Sequence, residues 1–257
     1  MKGYDVTTQD GDESEARQVF LHLTDKGTSA VSATMADTPY ITPTVERQAQ
    51  PVIQLEDFVG ALRSSPLAPW ASCSPWELTS QSEALVRRML ASLSMTEFRI
   101  ENEVAVHVTA IVETGAVLKG PLILGPQCFV AASAYLRRGN WVGDHCTFGP
   151  GAELKSSFVF SGTTLAHFNF VGDSILGSDV NLEAGSILCN HRNERADKEI
   201  LVRVGLDLHR VGCTKFGAVV GDRCRIGANA VVAPGALLKS GSAVARLSLF
   251  DDELASP

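Results

Sequence analysis

The sequence predicts an all-β fold: a parallel β-helix of hexapeptide repeats carrying a small N-terminal helical cap. Three observations point there. From residue 106 every sixth residue is aliphatic or aromatic, giving Val106, Val112, Leu118, Leu124, Val130, Leu136, Val142, Phe148 and Leu154 without a break. Of the 22 glycines, 18 follow residue 100, and only 7% of the chain is aromatic. Helical spacing and a helix-start signal are confined to a stretch before residue 100. An α-helix repeats at about 3.6 residues and a strand at about 2, so neither produces a six-residue period of this length. Short parallel strands stacked in flat-sided coils do, with each aliphatic residue pointing inward.

Composition bounds the function. The 257-residue chain is 45% hydrophobic, enough for a sizeable core and too much for wholesale disorder. Its formal net charge of −7 argues against a broad nucleic-acid interface. There is no run of about 18 uninterrupted apolar residues, so no membrane-spanning helix is expected. The start of the chain lacks the basic segment and apolar core of a signal peptide. The six cysteines show no C-x-x-C spacing and read as buried reduced thiols, which predicts a cytoplasmic protein.

Residues 1–50 are polar and acidic with no sustained period, and read as a flexible leader. Residues 51–100 are the helical cap. Leu55, Phe58, Val59 and Leu62 fall at i, i+3, i+4 and i+7, one face of a helix. Pro66 and Pro69 then break the chain. Ser74-Pro75-Trp76-Glu77 supplies a capping serine, a proline at the first helical position and a glutamate at the third. Leu85, Val86, Met89, Leu90 and Leu93 continue the apolar face.

Residues 101–248 form the β-helix. Gly125, Gly143 and Gly149 each follow an aliphatic position and read as corner residues that need backbone freedom. A small residue, such as Ala110, Cys128, Ala134, Cys146 or Ala152, sits four places after the aliphatic one and fills the interior. The series slips by one at Val159 and again at Leu176. It resumes at Val220, Ile226, Val232, Leu238 and Val244. The interruption, an inserted loop at about 190–212, is polar and out of register, and loops of that length are usually functional or mobile. Its charges Arg192, Glu194, Arg195 and Lys198 read as solvated surface. Residues 249–257 form an acidic tail.

The repeats resemble those of the left-handed β-helix acyltransferases, and the resemblance narrows at particular residues. Glu153-Leu154-Lys155, the stretch Leu165 to Asp173 with His167 twelve residues after the lysine, Asn181-Leu182-Glu183-Ala184-Gly185 and Cys189-Asn190 resemble one half of a bifunctional enzyme. It is the acetyltransferase half of the enzyme that makes uridine-diphosphate-N-acetylglucosamine, and the similarity covers roughly residues 100–245. The resemblance implies a left-handed helix, a homotrimer with active sites between subunits, and acetyl-coenzyme A as co-substrate. It implies His167 as general base on the amine of glucosamine-1-phosphate, with Arg137 and Lys155 holding the phosphate. Asn181 and Asn190 would orient the sugar and the thioester, and Ala184 would lie against acetyl-coenzyme A. The family's phosphate-contacting tyrosine is Phe170 here, and its tyrosine after the second asparagine is His191. No Gly-rich nucleotide-binding start precedes residue 100, so the uridyltransferase step is not expected.

Elementary chemistry agrees with these roles. An ammonium group cannot attack a thioester until it loses a proton, and a histidine suits that transfer near neutral pH. Arg137 and Lys155 are one eighteen-residue coil apart, which stacks their side chains on one edge as a phosphate clamp. The oxyanion needs a donor, expected from a backbone N–H near His167. Glu153 reads either as an ion-pair partner of Lys155 or as a further exposed carboxylate. Asp173 reads as a carboxylate that satisfies corner backbone donors. No two of the six histidines are five residues apart, the pairing used by zinc-binding hexapeptide proteins, so no metal is expected. Two alternatives stay open: an acyltransferase acting on a nucleotide sugar or another small acceptor, and a non-catalytic trimeric scaffold that binds sugar nucleotides.

Overall fold

The computed structural model describes residues 53–254, so the leader expected over residues 1–50 lies outside the described residues. Among these residues the strands form three parallel sheets, the three faces of a left-handed β-solenoid of about eight turns with a small helical part. The first face begins with Phe98–Glu101, antiparallel to Val104–His107. It continues in parallel through Leu122–Leu124, Asn140–Val142, Phe158–Val159, Ile175–Leu176, Ala218–Val220 and Ala236–Leu238. The second face runs from Ile111–Val112 to Ala243–Val244, and the third from Val117–Leu118 to Leu249–Phe250.

The hexad residues are the core. Leu136 pairs with Leu154, and Leu154 with Val171, in strict register on the third face. From Leu124 to Val244 the series is buried in one continuous cluster, with the small residues Cys128, Ala134, Cys146 and Ala152 filling the corners between. Each fully buried leucine or valine contributes about 1.5–3 kcal/mol over leaving it exposed. Cys128 and Cys146 donate their thiols to the carbonyls of Gly143 (3.0 Å) and Phe160 (3.2 Å). With Cys224 they are buried to 1% exposure or less. These three thiols are expected to stay unreactive to an aromatic disulfide reagent in the folded protein and to titrate on unfolding, which a thiol count with and without denaturant checks.

Both register slips have a physical cause. The corners from Leu154 to Val159 and from Val171 to Leu176 are one residue shorter than their neighbours, and serines close them. Ser157 Oγ donates to Lys155 O (2.8 Å) and accepts from Ser174 N–H (3.0 Å). Ser174 Oγ donates to Gly172 O (2.8 Å) and accepts from Ala218 N–H (3.0 Å). Backbone groups that the shorter turn would orphan are thereby paired.

The hexad glycines answer a different need from the one expected. Gly125, Gly143 and Gly149 do not adopt positive φ; a Cβ on Gly149 would overlap the Ala166 carbonyl oxygen of the next coil. They permit close stacking. Positive φ falls instead on corner residues such as Gln127, Ser133, Asp179 and Asn229.

The outer side of the first face is covered. Helices α1 (Pro75–Ser80) and α2 (Ser82–Leu90) place Trp76, Leu78, Leu85, Val86 and Met89 in a second cluster with Ile123, Trp141, Phe158, Phe160 and Ile175. Ser74 N–H donates to Glu77 Oε2 (2.9 Å), as the capping signal predicts. The segment carrying Leu55 and Leu62 is not one helix but the separate 3₁₀ turns Leu55–Asp57 and Leu62–Ser64. Gly60 N–H donates to Asp222 Oδ2 (3.0 Å), which takes it out of any helical ladder.

The insertion also differs from expectation. It contains an antiparallel hairpin, Leu201–Val204 with Asp207–Arg210. Ile200, Val202, Val211 and Phe216 are buried in the second cluster, with Phe216 edge-on to Trp76 at 6.0 Å. Alternation of apolar and polar residues over two short strands was too brief to read as a period. At the other end Leu249–Phe250 pairs with Val231–Val232, and Phe250, six residues after Val244, packs on the interior. The solenoid therefore runs past residue 248. No helix among the described residues is long and apolar enough to cross a membrane.

Candidate active site

Side chains leaving the third face stand in two columns set by the register. Tyr135, Glu153 and Phe170 are paired neighbours in one; Arg137, Lys155 and Gly172 are paired in the other. Arg137 and Lys155 are thus stacked one coil apart, as their spacing requires. Each already faces a carboxylate. Arg137 Nη2 and Nε lie 2.7 and 2.8 Å from Glu153 Oε1, and the guanidinium stands 5.5 Å from the Tyr135 ring centroid. Glu153 is therefore the partner of Arg137 and not of Lys155.

Lys155 Nζ lies 2.8 and 2.7 Å from the two carboxylate oxygens of Asp173, and the two side chains are only 11% and 8% exposed. Asn190 Nδ2 donates to the same Asp173 Oδ2. Asp173 is thus the hub of a Lys155–Asp173–Asn190 network, which corrects its reading as a backbone cap. The shortened corner explains this position. Asp173 follows Lys155 by eighteen residues, but a seventeen-residue coil gives Gly172 the register position and turns Asp173 into the corner at φ 47°. The equal spacing of Arg137, Lys155 and Asp173 was the signal in the sequence that could have found it. Gly172 forms the floor: a Cβ there would lie 2.6 Å from Asn190 Nδ2 and 2.8 Å from the Phe170 ring.

His167 lies around the edge, in the corner between Thr164–Leu165 of the second face and Phe170–Gly172 of the third. Its carbonyl accepts from Gly185 N–H (2.8 Å), which fixes the backbone. The imidazole is exposed, and neither it nor the His167 N–H makes a hydrogen bond among the described residues. One coil earlier that turn position is Pro150, which has no N–H to give. Phe168, beside it, lies over Gly151 and is 71% exposed at φ 51°, a backbone region that bulky side chains seldom occupy.

The remaining predicted residues lie one coil further on. Asn181 pairs with Thr164 on the second face and is exposed. It borders a groove of about 380 Å³ with Glu183, Arg225 and Arg246. Arg246 donates to both carboxylate oxygens of Glu183 (2.7 and 2.6 Å) and, with Ala228 N–H, holds that carboxyl below its ordinary range. Ala184 is an exposed corner residue whose carbonyl accepts from Asn229 N–H (3.0 Å). Arg137, Glu153, Lys155 and Phe170 are thus gathered on the third face, with Asn190 just past its strand Ile187–Leu188 and bonded to Asp173. His167 stands at the corner, and Asn181 and Ala184 lie on the second-face side of it. No group of three or more His, Cys, Asp and Glu side chains among the described residues could hold a metal ion.

No protein-family profile matches the chain. It is 29% identical over 193 residues to the bifunctional protein GlmU of Methanococcus maripaludis, covering 70% of this chain and 44% of that protein. It is 27% identical over 165 residues to a bifunctional sugar-1-phosphate nucleotidylyltransferase/acetyltransferase of Sulfurisphaera tokodaii, covering 63% and 41%. The chain spans less than half the length of these relatives, and its similarity lies with the acetyltransferase half of GlmU. A solved hexapeptide transferase family protein of Anaplasma phagocytophilum matches 57% of this chain and 72% of its own at 18% identity and a TM-score of 0.36.

Proposed function

We propose that this chain moves an acetyl group from acetyl-coenzyme A to the amine of an amino-sugar phosphate resembling glucosamine-1-phosphate. The observation that carries the reading is His167: an unpartnered imidazole on a rigid corner, one edge away from a paired arginine and lysine. His167 takes a proton from the sugar ammonium, and the freed amine attacks the thioester carbonyl. The C–N bond forms, the tetrahedral oxyanion is met by the unused His167 N–H, and collapse breaks the C–S bond. The nitrogen gives up two protons in all: the first, taken by His167 from the ammonium, passes to solvent before attack, and the second, taken by His167 as the C–N bond forms, goes from the imidazolium to the departing thiolate, leaving a neutral amide and free coenzyme A. Arg137 and Lys155 orient the phosphate, with Glu153 and Asp173 keeping both cations in place before it arrives. Asn181 and Asn190 orient the sugar and the thioester, and Ala184 leaves room for the coenzyme at the corner.

The exposed apolar residues Ile111, Val117, Phe168, Leu247 and Leu249 all border the second and third faces. That distribution supports a homotrimer closing on these faces, with the site between copies; light scattering of the purified chain reads this directly. Phe170 offers no hydroxyl to the phosphate of a sugar-1-phosphate, so a nucleotide sugar or another small acceptor is the second acceptor class. The deciding experiment follows thiol release from acetyl-coenzyme A with glucosamine-1-phosphate, and then with nucleotide-linked amino sugars. Release with the sugar phosphate supports the first reading, release with nucleotide sugars alone supports the second, and release with none leaves a binding scaffold.

A further inference from the structure

We propose that Arg192 is a positioning residue for the acceptor side of this site, gripped by the C-terminal acidic segment so that Asn190 stays beside Asp173. The inference rests on the acyl-transfer reading for what the edge binds, but not for how the edge is held.

The chain leaves the third face after Cys189, whose N–H is its last ladder bond to Val232 (2.9 Å). Asn190 and His191 then run without sheet pairing. Asn190 O accepts from Phe216 N–H (3.1 Å), and His191 Nδ1 lies 2.8 Å from Thr214 O. Both of those partners lie on the return segment between the insertion and the first-face strand Ala218–Val220, so neither ties Asn190 and His191 to the last coils of the solenoid. Arg192 does. Its Nη1 and Nη2 donate to the two oxygens of Asp251 (2.7 and 2.8 Å), while Nη2 also reaches Glu253 (2.9 Å) and the Pro234 carbonyl (3.1 Å). Nε is buried without an acceptor, so the grip runs through the two terminal nitrogens. The Arg192, Asp251 and Glu253 side chains are 6%, 7% and 12% exposed. Burial alone would raise the Asp251 carboxyl, yet the Arg192 guanidinium, the Glu253 N–H and Arg195 together hold that carboxyl below its ordinary range.

The same three-residue segment meets the insertion twice more. Arg195 Nη1 pairs with Glu253 (2.5 Å), and Arg203 Nε donates to the Asp252 carbonyl (2.7 Å). The bidentate geometry at Asp251 needs a planar fork, which a lysine ammonium cannot reproduce. Charges called solvated on sequence grounds thus join two segments 59 residues apart.

The test uses the full chain with Asp251→Asn plus Glu253→Gln, and separately Arg192→Lys. Hydrogen exchange read by mass spectrometry is expected to accelerate at residues 190–196, with the third-face strand Glu153–Lys155 unchanged. The KM for the acceptor is expected to rise about tenfold while the KM for acetyl-coenzyme A stays within about twofold. Unchanged exchange at 190–196 overturns the grip. Accelerated exchange with both KM values and kcat falling off together overturns the positioning role and leaves a structural one. Should no acceptor be turned over by the parent chain, the acyl-transfer reading fails on its own, and the exchange result still decides whether the acidic segment holds Asn190.

Discussion

His167→Ala is expected to lower kcat/KM for acetyl transfer by about 10²–10⁴-fold, the usual contribution of a positioned general base. The melting temperature is expected to stay where it is. The imidazole is exposed and makes no hydrogen bond among the described residues, so removing it opens no cavity and orphans no buried group. The backbone at this corner is held by the Gly185 N–H and by Phe168 N–H donating to Pro150 O (3.0 Å), neither of which involves the side chain. Rate and thermal unfolding measured on the same preparation separate the two effects. An alanine variant that turns over at the parental rate would assign proton removal to another group. One that loses rate and stability together would mean the corner itself had moved.

Lys155→Met carries the largest expected effect on stability. It leaves the Asp173 carboxylate, 8% exposed, with Asn190 as its remaining side-chain donor. Breaking a buried pair from one side costs about 3–5 kcal/mol, more than a surface ion pair is worth. Adding Asp173→Asn removes the stranded charge while keeping a side chain that tolerates positive φ, and most of the loss is expected to return. A double-mutant cycle in denaturant gives the coupling directly. A single-variant loss below about 1 kcal/mol would mean that water reaches the pair freely. Both variants are also expected to bind the acceptor phosphate more weakly, because Lys155 is absent in each.

Much of the fold was legible in the residues themselves. The six-residue period from Val106 to Leu154 depends only on which side chains can face a narrow interior, so it survives in the linear chain. The capping signal at Ser74 is equally local. The Leu55–Leu62 spacing misled because Gly60 is captured by Asp222, 162 residues away, and nothing near Gly60 announces that. The insertion misled because Ile200, Val202 and Val211 are held by burial in the cluster over the first face and not by a pattern of their own.

The candidate site divides in the same way. Spacing alone stacked Arg137 on Lys155, because a coil of eighteen residues returns the chain to the same edge. Sequence by itself therefore determined the solenoid, its interior and the edge on which the cations stand, all consequences of a repeat acting over one coil. Only the tertiary structure decided what those cations touch. A one-residue shortening of two corners turned Asp173 toward Lys155, and the acidic end of the chain closed on Arg192. The slips at Val159 and Leu176 and the eighteen-residue spacing stood in the sequence, but not the contact they make, and the segment that meets Arg192 lies 59 residues away, of which a period of six carries no record.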